Sequence, residues 1–250
     1  MDSRRWCGSH SGRAVKAGAP RSDDDVPPLL RLYLDRVLPR GGSVPRNVWL
    51  TQTGELRQKP EGPWLRFTAA QEFAVEESAF SWRARVRMMP LVSIRVVDRY
   101  AGGEGTGAVR LLGLLPIARD SGQHVSEGSA LRYLAELPWN PYAMHANRQL
   151  EWSELDAQTV EVAMRVGPKR VALRLEFDEA GNIVRVWTDA RPRKEGHTVV
   201  SRSWGGVYSD LEVVGGIGIP TRAEVSWELP DGLFTWFRAT VTTLEVGPPA

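Results

Sequence analysis

Cysteine is nearly missing from this chain of 250 residues: Cys7 stands alone in a polar N-terminal stretch. A single thiol cannot close a disulfide within the chain, and a metal site built from cysteines is excluded with it. Histidine is almost as sparse. His10, His124, His145 and His197 show neither HExxH nor HxH spacing, so no metal and no cofactor is expected. Net charge is only +2, which removes the broad electrostatic attraction that a nucleic-acid partner relies on. No apolar run reaches the roughly 18 residues that a membrane-spanning helix needs. Residues 1–25, "MDSRRWCGSHSGRAVKAGAPRSDDD", have no apolar core of the secretory type; a disordered polar tail and a cytoplasmic setting are expected. Nucleotide loops are missing as well: "AGGEGTG" and "VVGGIGIP" contain no GxxxxGK[ST] and open no βαβ unit. No serine or cysteine nucleophile motif accompanies His145, which leaves a hydrolytic triad without support.

What the chain does have is alternation. Phe80, Trp82, Ala84, Val86 and Met88 share one side of a strand whose other side carries Ser81, Arg83, Arg85 and Arg87. The next strand aligns Val92, Ile94, Val96, Asp98 and Tyr100, and Phe67, Ala69, Gln71, Phe73 and Val75 alternate before it. Later come Val160 to Val166 and Val171 to Phe177 in the same period of two. "FDEAGNIVRVW" and "SWELPDGLFTW" read as hairpins around glycine-containing turns. Roughly nine or ten strands joined by short turns predict one mainly β domain over residues 26–250, an antiparallel half-barrel or barrel. The arginine row is expected to be a solvated outer face paired with Glu72, Glu76 and Glu77.

Two segments break the alternation. "DDVPPLLRLYLDRVLPRGG" places Leu30, Tyr33, Leu34, Val37 and Leu38 on one helical stripe, with Asp25 as a plausible N-cap. The second is "SEGSALRYLAELPWNPYAM", where Leu131, Tyr133, Leu134 and Ala135 sit at helical spacing before a proline-stiffened tryptophan. A curved sheet must fill its concave face, and this central helix is the expected plug.

Several segments together resemble an uncharacterised bacterial domain-of-unknown-function family: "LRYLAELPWNP", "LRLEFDEAGNIV" and the long "SRSWGGVYSDLEVVGGIGIPTRAEVSWELPDG" block. The likeness runs from about Leu29 to Val246 and carries little functional content. In architecture, a helix plugging a long antiparallel meander is more remotely similar to the lipoprotein-localisation carriers, half-barrels with an apolar cavity. That resemblance implies an apolar small molecule or lipid as partner.

The residues themselves give two acid candidates. Asp98 is in phase with an apolar set, and a carboxyl desolvated in a cavity is a candidate acid or base; a wet rim at the end of the strand is the other reading. Glu136 closes the central helix, where the macrodipole disfavours it. It either holds an arginine or serves a ligand. Trp139, Tyr142, Met144, Tyr100 and Trp82 are the candidate ligand-binding residues. The leading function is binding of a bulky apolar or lipid-like ligand. The alternative is a cofactor-independent cyclase or isomerase that folds a polyketide-like substrate in the same chamber. A domain with a filled core is the third reading.

Overall fold

The computed structural model describes residues 26–41, 43–111 and 115–249. The expected polar tail and the Asp25 cap lie outside them. The first helix, α1 (Pro28–Val37), starts from Pro27 with Pro28 in its first turn, where a missing N–H costs nothing. Its stripe Leu30, Tyr33, Leu34 and Val37 is buried, as the spacing predicts.

Six strands follow as an up-and-down meander: β1 (Asn47–Leu56), β2 (Leu65–Ala74), β3 (Phe80–Met89), β4 (Val92–Ala101), β5 (Glu104–Leu111) and β6 (Leu115–Asp120). Then come α2 (Gln123–Ala135), a short 3-10 turn at Leu137–Trp139 and α3 (Pro141–Ala146). A second meander completes the chain: β7 (Glu151–Glu154), β8 (Thr159–Val166), β9 (Lys169–Phe177), β10 (Ile183–Glu195), β11 (Thr198–Val214), β12 (Ile217–Leu229) and β13 (Gly232–Val246). The two meanders meet where β1 pairs with β13, giving one antiparallel sheet of 13 strands with β6 and β7 at its edges. It curls into a half-barrel.

This topology explains the helix. The chain leaves the sheet at one edge, β6, and must re-enter at the opposite edge, β7. The direct route crosses the concave face, and α2 takes it, packing on β4 and β5 on one side and on β8, β9 and β10 on the other. Leu131 and Leu134 are fully covered. Gly105 lets the helix lie close: a Cβ there would stand 2.5 Å from Ser129 Oγ. Hydrogen bonds fasten the crossing to both flanks. Ser126 Oγ accepts from the Gly105 N–H at 3.0 Å, Tyr208 Oη donates to the Ala135 carbonyl at 2.6 Å, and Trp139 Nε1 donates to the Pro220 carbonyl at 2.8 Å.

Several details differ from the sequence reading. The sheet has 13 strands where roughly nine or ten were expected. Trp139 is followed by a short helix, α3, rather than a loop. Met88 follows the apolar alternation of β3 yet is exposed, because the strand outruns the core there. The outer arginines do not find their expected acids. Register places Arg85 opposite Arg95, and Arg95 opposite Arg110, while Glu72 faces Ser81.

All five tyrosines (Tyr33, Tyr100, Tyr133, Tyr142 and Tyr208) are pushed up by burial, Tyr100 to about 12. Their folded-state values lie above the unfolded ones. The stability linked to them is therefore intact below about pH 10 and is lost as pH rises beyond it. Spectrophotometric titration should show little phenolate absorbance in the native protein near pH 10, and a much larger signal at the same pH once it is denatured.

Candidate functional site

The stripe of α2 that faces away from the leucines is Val125, Gly128, Ser129, Arg132 and Glu136, at helical spacing. It forms one wall of a cavity of about 560 Å³ under the crossing. The sheet supplies the rest, chiefly Trp82, Val96, Val186, Trp204, Trp227 and Phe237. The volume falls in the range of about 300–1,000 Å³ typical of small-molecule sites, and so does a mainly apolar wall with a few polar groups. A larger hollow of about 910 Å³ lies on the outer face, lined by Arg66, Arg85, Arg222 and Arg238. It is a charged groove without an apolar enclosure.

Arg132 organises the polar part of the cavity. Its Nη1 donates to Asp98 Oδ2 at 2.7 Å and its Nε to Glu136 Oε1 at 2.8 Å. The other Glu136 oxygen accepts from Gln71 Nε2 at 2.6 Å. The guanidinium lies over the rings of Phe80 and Trp82, about 5 Å from each centroid (5.0 and 4.9 Å). Paired carboxylates and stacked aromatics let a buried cation persist. Both carboxylates favour the charged form of Arg132 and raise it further against the desolvation that opposes them.

The sequence candidates divide. Asp98, Glu136, Trp82 and Trp139 all line the cavity. Asp98 lines the cavity with 36% of its side chain still in solvent, as the rim reading has it, and it is ion-paired to Arg132 rather than a lone desolvated carboxyl. Trp139 is enclosed in that wall, not at a mouth. Tyr100, Tyr142 and Met144 lie elsewhere, in the packed core. Tyr100 is one pleat beyond Asp98 and pairs with Gly105, where α2 rests on the sheet and covers it. Tyr142 and Met144 sit on α3, which turns away towards α1.

Arg191 and Arg193 escape the sequence reading for a definable reason. Between Thr188 and Arg191, β10 holds one more residue than its partner β11 does between Trp204 and Arg202. This β-bulge shifts the phase of the strand. Regular alternation from Val186 and Thr188 would turn Ala190 and Pro192 inward. The bulge instead brings the side chains of Arg191 and Arg193 over cavity tryptophans. Beyond Trp187, β10 is no longer paired with β9, so Pro192 interrupts no ladder on that side.

Arg191 then lies 3.9 Å from the ring centroid of Trp204 and 5.6 Å from that of Trp227. Its Nη1 is enclosed and has no hydrogen-bond partner. Burial pushes Arg191 down to about 9, and the Arg132 cation adds to the shift; Glu136 and Asp98 oppose it from a distance. At neutral pH the group stays charged, so its desolvation weighs against the fold. Arg191→Met is therefore expected to leave the unliganded protein as stable as the wild type or more so. Urea denaturation checks this, and a loss above about 1 kcal/mol would contradict the assignment of a desolvated cation without an ionic partner.

Among the described residues, no cluster of three or more His, Cys, Asp or Glu side chains is placed to hold a metal ion. No described helix is long and apolar enough to cross a membrane.

A family model described as a family of unknown function, DUF6544, matches residues 19–239. The chain belongs to this family. Membership in DUF6544 agrees with the resemblance carried by the "ELPW" and "WGGVY" segments. No curated protein matches the chain. Among solved structures, a DUF1329 family protein from Desulfovibrio piger aligns at 12% identity and a TM-score of 0.49, covering 87% of this chain and 90% of its own. A LolA superfamily protein from Nitrosomonas europaea aligns at 10% identity and a TM-score of 0.47, covering 89% and 93%.

Proposed function

We propose that this DUF6544 protein encloses a bulky apolar small molecule or a lipid-like chain between α2 and the concave face of the sheet. The observation that carries the reading is the cavity of about 560 Å³, walled by Trp82, Trp204, Trp227 and Phe237. Apolar surface of this kind gains from excluding water, at about 25 cal/mol per Å² buried. Aromatic walls offer broad contact to a flexible chain or a ring system.

Binding is favoured over catalysis by the state of the acids. A cyclase acting through Asp98 or Glu136 needs a carboxyl free to exchange a proton with substrate. Both are instead bonded to Arg132, at 2.7 and 2.8 Å. A cytoplasmic setting remains part of this proposal, and cell fractionation tests it.

Titration with the neutral dye Nile red tests the binding reading. Saturable one-to-one binding is expected. Val225→Trp, which fills the cavity from its β12 wall, should weaken it at least tenfold. Absence of saturable binding, or equal binding by the filled variant, would remove the cavity from the account.

A further inference from the structure

The cavity wall is asymmetric in its polar groups. Asp98 and Glu136 are both turned onto Arg132, which leaves them committed. Arg191, by contrast, has no carboxylate and no hydrogen-bond acceptor among the described residues, and its Nη1 is enclosed. Beside it the indole Nε1 of Trp204 is a second enclosed donor without a partner. Arg191 lies beside α2 at Gly128: a Cβ there would stand in ordinary contact, 3.8 Å from Arg191 Nη2. Further along β10, Arg193 lies 4.9 Å from the Trp227 centroid and keeps a 3.5 Å ion pair with Glu195, while Lys194 also lines the cavity. This part of the cavity thus holds the Arg191 cation, which has no carboxylate partner among the described residues, whereas Arg193 keeps Glu195.

Buried donors left unmatched are costly, and a guanidinium matches a planar or tetrahedral oxyanion better than any neutral group. Resting on the cavity-binding reading above, we propose that the natural ligand is a single-headed anionic amphiphile, whose carboxylate or phosphate is held by the Arg191 guanidinium beside Trp204 while its apolar body lies against Trp227, Trp82 and Phe237. The triad Asp98–Arg132–Glu136 carries a net formal charge of one negative unit.

Calorimetric titration of the full chain with decanoate, decyl phosphate and decanol, below their aggregation limits, tests this. The wild type should bind at least one of the two anions tenfold or more tightly than decanol, and the stronger anion identifies the head group. Arg191→Met should collapse that preference towards one, whereas Arg191→Lys, which keeps the charge but not the fork, should retain part of it. Urea midpoints of both variants, measured first, exclude misfolding as the cause. Equal binding of anions and alcohol by the wild type, or a preference that survives Arg191→Met, would overturn the anionic ligand while leaving the apolar cavity standing. If none of the three binds, the cavity reading fails and this one falls with it.

Discussion

Leu134→Ala should cost about 2–5 kcal/mol of folding stability, and Leu131→Ala a similar amount. Both side chains lie on the face of α2 opposite the cavity and are buried in the core, Leu131 with 2% of its surface exposed and Leu134 with 0%. Truncation removes buried methyl groups and leaves a void that the rigid sheet cannot close, so transfer and cavity penalties add. The position of α2 sharpens the expectation. It is the only described connection between the two meanders' outer edges, and it touches strands on both sides of the half-barrel. Leu91→Ala is the control: this turn residue is 94% exposed and should shift stability by less than about 0.5 kcal/mol. Urea denaturation of the three variants distinguishes a plug from a peripheral helix. Wild-type midpoints for both core variants would mean that α2 does not hold the sheet.

Arg132→Met is expected to destabilise by about 3 kcal/mol, the lower end of the range for breaking a buried ion pair. The loss arises less from the contacts removed than from what stays behind. Glu136 keeps 12% of its side-chain surface in water and would retain only Gln71 as a partner. Asp98 is less affected, because 36% of its side chain reaches solvent. The double variant Arg132→Met/Glu136→Met should recover most of the loss, since an apolar pair of similar volume has no buried charge to satisfy. A double variant as unstable as the sum of both single changes would show that the two residues act independently.

Much of the architecture is legible because strand alternation is a local signal. The burial of Val160 through Val166 and of Val171 through Phe177 follows from a period of two, and both glycine turns lie between paired strands. The central helix is legible as a break in that period. Its route across the face is not, because it depends on which strands form the edges, and pairing β1 with β13 is a contact between the two ends of the fold. The site divides along the same line. Glu136 is readable as an acid in need of a partner, and Arg132 stands four residues before it on the same helix, a spacing that brings side chains together. Tyr100 shares the phase of Asp98 yet lies under the helix, which no strand pattern reveals. Arg191 is hidden by the bulge after Thr188: one extra residue shifts the phase of β10 and brings Arg191 and Arg193 over the cavity tryptophans.

The central claim is that the chamber beneath α2 accepts an apolar ligand against its tryptophans. Quenching of tryptophan fluorescence by a bromine-bearing decanol tests it most directly, because bromine quenches only rings it nearly touches. The account predicts saturable quenching with one ligand per chain, most of it lost in Trp204→Phe/Trp227→Phe. Quenching that rises linearly without saturation, or that persists unchanged in the double variant, would contradict it.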